Sequence, residues 1–96
     1  MKPLIWSGPA TEDLFQIADY YDGVEAGVGE RMLDRIVAET TMLMQAPHLG
    51  EIIKETNVHG WRVKRTPFTL LYVAGAERLE ILCVHHAAQR WHGIGE

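Results

Sequence analysis

Two adjacent histidines, His85 and His86, end a strongly apolar run, and three cations, Arg62, Lys64 and Arg65, precede it. An imidazole titrates near neutral pH and can take or give a proton. A guanidinium grips a phosphate through two parallel hydrogen bonds. Metal-free cleavage of RNA needs such groups: a base for the 2′-hydroxyl, an acid for the leaving oxygen and a cation for the phosphate. Arg65, Arg62 or Arg90 could be the clamp, and either histidine the acid or base. The simpler alternative is structural, with one histidine packed against helices and the other at a polar sheet edge. That alternative is preferred here.

Other chemistries find less support. Neighbours on a strand point to opposite faces, so His85 and His86 cannot readily share a metal. His48, His59 and His92 show no ligand spacing, so no metal is expected. The glycines form neither a strand-linked GxGxxG nor a P-loop, and no cofactor is expected. Cys83, the single cysteine, sits in an apolar run and reads as a buried thiol.

These side chains hang on the stretch from Gly60 to Trp91. Its runs Gly60–Arg65, Phe68–Val73 and Leu79–His86 are separated by Thr66-Pro67 and by Ala74-Gly75-Ala76-Glu77, the pattern of an antiparallel meander. Alternation sends Trp61, Val63 and Arg65 one way and Arg62, Lys64 and Thr66 the other. The third run is apolar on both sides, which predicts a central strand. Arg62 and Lys64 are either a charged edge that discourages aggregation or a patch that meets an acidic partner. Trp91, beyond the last strand, is the tryptophan expected to touch a partner.

Upstream, Leu4-Ile5-Trp6 predicts an edge strand, and Ser7-Gly8-Pro9 turns the chain into a helix. Leu14, Ile17, Ala18 and Tyr21 form one apolar face, with Glu12 and Asp13 expected in the first turn and a stop near Asp22-Gly23. A second helix runs from about Glu30 to Gln45 with the stripe Met32, Leu33, Ile36, Val37, Thr40, Leu43 and Met44, until Pro47 stops it. Glu51 to His59 reads as a loop or irregular strand. The order is β-α-α-β-β-β: a single α+β domain with a helical hairpin packed on a mainly antiparallel four-stranded sheet whose other face is open.

At 96 residues there is room for one domain, spanning 1–96. No apolar run approaches the roughly 20 residues of a membrane span, and the first residues lack a secretory pattern, so a cytoplasmic protein is expected. The net charge is −4, yet residues 1–51 carry three basic and nine acidic side chains and residues 52–96 six basic and four acidic. An acidic balance disfavours a broad nucleic-acid footprint without excluding a local one.

The chain resembles the RelE/ParE superfamily of toxins from type II toxin–antitoxin systems. The resemblance runs from Trp6 to Trp91 and is carried by Trp6-Ser7 with Ala10, Asp13-Leu14, Ile17 and Tyr20-Tyr21; by Arg31-Met32-Leu33-Asp34-Arg35-Ile36; by Ala46-Pro47-His48-Leu49-Gly50; and by Gly60-Trp61-Arg62-Val63, Leu70-Leu71-Tyr72 and Leu79–His86. It departs where Gln89-Arg90 replaces a common Arg-Asp pair and where the Thr66-Pro67-Phe68 turn is one residue short. The resemblance implies a ParE-like toxin that inhibits DNA gyrase by protein contact and is neutralised by a cognate antitoxin. Arg62, Lys64, Arg65, His86, Arg90 and Trp91 would then bind target or antitoxin, with no catalytic residue and no direct DNA binding expected without the antitoxin. The alternative is a RelE-like endoribonuclease acting on messenger RNA at the ribosome, with Arg65 and His85 or His86 catalytic. A third reading is a non-toxic relic that still binds its antitoxin. The helical hairpin and the acidic charge favour the ParE-like reading.

Overall fold

The computed structural model describes residues 3–86. Ser7 starts the first helix, α1 (Gly8–Val24): its backbone is extended and its Oγ accepts the Ala10 N–H at 3.1 Å, satisfying one of the donors every helix start leaves over. Pro9 sits in the first turn, where its missing N–H costs nothing. The second helix, α2 (Val28–Gln45), follows a sharp reversal at Gly27, whose φ of 87° is a left-handed value that glycine adopts without strain. The two helices nearly touch at Gly29, whose N–H donates to Asp22 Oδ1 at 2.8 Å. A side chain there would begin 2.4 Å from the Ala18 carbonyl oxygen.

The sheet comprises β1 (Leu4–Trp6), β2 (Glu51–Ile52), β3 (His59–Arg62), β4 (Phe68–Ala74) and β5 (Leu79–His86), in the order β1-β5-β4-β3-β2. As expected, β1 is an edge and β5 is interior. The expected four strands are five, because Glu51 and Ile52 pair with Gly60 and His59. Two residues are too few for any hydrophobic period to register. β1 runs parallel to β5, so the sheet is mixed.

One face of the sheet meets the helices through Leu70, Tyr72, Leu79, Ile81 and Val84, packed with Ala10, Ile17, Ile36 and Leu43. Val37, counted in the apolar stripe, lies at its margin and is 46% exposed. On the opposite face, expected to be open, the centre is covered: Leu71 is 1% exposed although it pairs with Gly60 and Cys83, away from the helical core. A polar network anchors the loop after α2. The Tyr72 hydroxyl donates to the Pro47 carbonyl (2.7 Å) and accepts from the Gly50 N–H (3.0 Å), while His59 stacks on the Tyr72 ring and its Nδ1 meets the Gly50 carbonyl at 2.9 Å.

Candidate functional site

β5 carries the histidines, and an irregularity within it decides where they point. Leu71 of β4 pairs with Cys83, but Tyr72 pairs with Ile81, so Leu82 is an extra residue. Such a bulge resets the alternation of the strand. Leu79 and Ile81 face the helices, and beyond the bulge Val84 and His86 do. Ser7 pins the bulge: its N–H donates to the Ile81 carbonyl (3.0 Å) and its Oγ to the Leu82 carbonyl (2.8 Å).

Beyond Trp6, β5 has lost its neighbour β1, and a backbone donor on that side would go unpaired. Asp13 supplies the acceptor, its Oδ2 lying 2.9 Å from the Val84 nitrogen. The helix begins at Gly8, which puts Asp13 past the first turn expected for it. Its carboxylate serves the strand rather than the helix dipole. No local pattern could show this, since the partners lie 71 residues apart. The nearby Cys83 thiol is pushed above its ordinary pKa, mainly by burial and further by the Asp13 charge, which makes it a poor nucleophile.

Between α1 and the ends of β4 and β5 runs a groove lined by Asp13, Gln16, Ile17, Tyr20, Tyr21, Phe68, Val84 and His86. Four of these rings meet edge to face in succession: Tyr20 on Tyr21 (5.0 Å, 87°), Tyr21 on Phe68 (6.1 Å, 78°) and Phe68 on His86 (5.3 Å, 80°). Edge-to-face pairs at these separations are favourable and hold the rings in place. Phe68 is buried, whereas Tyr20 at the outer end is 67% exposed. A preformed aromatic wall with an exposed outer ring is suited to burying a partner's side chain. Of these residues the sequence reading singled out His86 alone as a binding residue.

The other singled-out residues fall in two further places. Arg62 pairs with Thr69, and Thr69 with His85, so Arg62 and His85 lie in one cross-strand row on the face away from the helices. They are two strands apart, about 10 Å at ordinary strand spacing. Lys64 and Arg65 belong to the β3–β4 turn. The expected alternation ends at Val63: Thr66 does not share an outer face with Arg62 and Lys64 but is 6% exposed, its Oγ1 donating to the Val63 carbonyl (2.9 Å) and accepting from the Phe68 N–H (3.1 Å). Arg65 takes a left-handed backbone, φ 62°. The turn leans on α2, where Arg35 donates to the Arg65 carbonyl (3.3 Å) and Glu39 accepts from the Lys64 N–H (3.2 Å). Arg65 therefore lies toward α2 and His86 toward α1. Arg90 and Trp91 lie outside the described residues. Among the described residues no group of three or more His, Cys, Asp or Glu is placed to hold a metal, and no helix is long and apolar enough to cross a membrane.

A helical hairpin on one face of a mixed sheet, with an aromatic groove along the first helix, defines a small α+β domain. The family model described as the ParE toxin of the type II toxin-antitoxin system, parDE, matches residues 4–91, and the chain belongs to that family. A solved structure titled as a chromosomal ParDE TA system from P. aeruginosa is similar to it, with a TM-score of 0.78 and 24% identity over 90% of this chain and 96% of that chain. At that identity the likeness speaks to the fold. No match was found among curated proteins.

Proposed function

We propose that this ParE-type toxin acts by binding: it inhibits DNA gyrase through protein contacts and is held inactive by a cognate antitoxin. The observation that carries the binding reading is the ring series Tyr20–Tyr21–Phe68–His86 along an open groove. An amphipathic segment of the antitoxin, laid along α1, would place an apolar side chain against Tyr20 and Phe68. Family membership supports the toxin and antitoxin parts of the reading, and gyrase is the target that the ParE resemblance implies. Action in the cytoplasm goes with that target.

The placement of Arg65 and His86 disfavours that pair as the machinery of RNA cleavage. Acid–base chemistry on one phosphate needs its groups within hydrogen-bond reach of the same atoms. Here Arg65 leans on α2 while His86 packs on Phe68 beside α1. The test is pulse labelling within minutes of controlled induction. Collapse of thymidine incorporation while methionine incorporation continues is the expected result. Methionine incorporation failing first would sink the gyrase reading in favour of an RNase, and no change in either would leave an antitoxin-binding relic.

A further inference from the structure

We infer that the β3–β4 turn and the side of α2 facing it form a second docking site, one for a carboxylate-rich segment of a protein partner. The inference is independent of the groove and of gyrase as target. Arg35, Arg62, Lys64 and Arg65 are all exposed around two shallow depressions that share Lys64 and Arg65. Among the described residues the only ion pair is Arg78 with Glu80, so none of these four cations is in direct contact with a carboxylate. Glu39, the acid among them, has an oxygen engaged by the Lys64 N–H. Four cations with one carboxylate among them, on a chain of net charge −4, make a local field of opposite sign to the whole, the arrangement that steers a charged partner to one place.

The backbone carries the second part of the argument. At φ 62° a residue with a Cβ is strained, and glycine or asparagine would relieve it. Arginine stands there nonetheless. The turn around it is held by the Val63–Phe68 pair, by the Thr66 hydroxyl and by the two bonds from α2. The guanidinium is therefore presented from a rigid tip at the expense of backbone strain, and strain of this kind is commonly kept at working positions.

A protein segment fits this site better than a nucleic acid. Glu39 lies within one depression, and residues 1–51, which include α2, carry nine acidic side chains against three basic. A long phosphodiester chain leaving the four cations would run onto that acidic half. A short run of aspartates or glutamates ends where the cations do.

The test uses the whole chain with a fluorescein-labelled oligoglutamate peptide as probe, followed by anisotropy at increasing salt. Binding that weakens with salt is expected, with Arg65→Gly weaker by about tenfold, the loss of one charge-assisted pair. Arg65→Gly should also melt no lower than the parent, because glycine accepts the left-handed backbone. Arg35→Gln should weaken the probe too, while Tyr20→Ala, in the groove, should leave it unchanged. Failure of the groove reading would thus be separable from failure here. No binding at low salt, equal binding by Arg65→Gly, a lower melting temperature for that variant, or tighter binding of an oligouridylate of equal charge would each overturn the inference.

Discussion

The Asp13 carboxylate accepts the backbone N–H of Val84 at 2.9 Å, joining the middle of the first helix to the last strand beyond the point where its parallel neighbour ends. Both residues line the aromatic groove. Asp13→Ala should leave a half-buried donor unpaired and lower stability by about 1–3 kcal/mol, and Asp13→Asn, which keeps an acceptor oxygen, by clearly less. Urea unfolding of the two variants checks the order. Equal losses would show that the contact is packing rather than a hydrogen bond.

Close approach at Gly50 leads to a second expectation. A Cβ there would lie 2.6 Å from the Tyr72 hydroxyl oxygen and 2.9 Å from its Cε1, and Tyr72 is fully buried with its ring stacked on His59. The tyrosine cannot move aside without breaking its bond to Pro47. Gly50→Ala should therefore cost more than about 2 kcal/mol, an overpacking penalty joined to a lost buried hydrogen bond. Pairing it with Tyr72→Phe, which removes the crowded oxygen, should recover part of the loss. Thermal melts of the two single variants and the double variant provide the cycle.

Stability should fall on the alkaline side. Burial pushes the Tyr72 hydroxyl above its ordinary 10.0, against a smaller opposing effect of the Gly50 backbone hydrogen bond. Burial, reinforced by Asp13, pushes the Cys83 thiol above its ordinary 9.0. Both groups hold their protons more tightly folded than unfolded, so unfolding releases protons in this range and stability declines as pH rises. Their contribution is fully present below pH 9.0 and is lost from there through and beyond pH 10.0. Cys83→Ala should flatten the first part of the decline and Tyr72→Phe the second, read from urea midpoints across that range.

Tyr20 separates binding from folding. At 67% exposure it adds little to the core, so Tyr20→Ala should change stability by less than about 0.5 kcal/mol. As the outer ring of the groove it should nevertheless weaken antitoxin binding by about tenfold or more, the scale of an aromatic anchor. Calorimetric titration with the antitoxin, alongside a melt, tests both halves. Unaltered affinity would remove the groove from the antitoxin interface.

Much of the architecture was legible because it depends on short-range periodicity. Ile36, Thr40 and Leu43 recur at helical spacing and are all buried on α2, and β5 is interior because its apolar residues occupy both sides. Short elements and turns were not legible. β2 has no period to detect, and the pattern Trp61, Val63, Arg65 looks like a strand although the chain has already turned at Val63. The difference lies in the Thr66 hydroxyl, which replaces ladder bonds with turn bonds and takes Thr66 inward.

The sequence by itself determined that two helices would cover an antiparallel meander with β1 at its edge, and that His85 and His86 would face opposite ways. Residue-by-residue polarity with periods of 3.6 and 2 suffices for that. Which histidine would face the helices was decided only by the tertiary structure. Simple alternation from Leu79 and Ile81 would turn Cys83 and His85 toward the helices. The extra residue Leu82, held by Ser7 from the start of α1, turns Val84 and His86 there instead. A bulge fixed by a contact 75 residues away in the chain leaves no mark on local hydrophobic pattern, because its stabilising partner exists only once helix and strand have met.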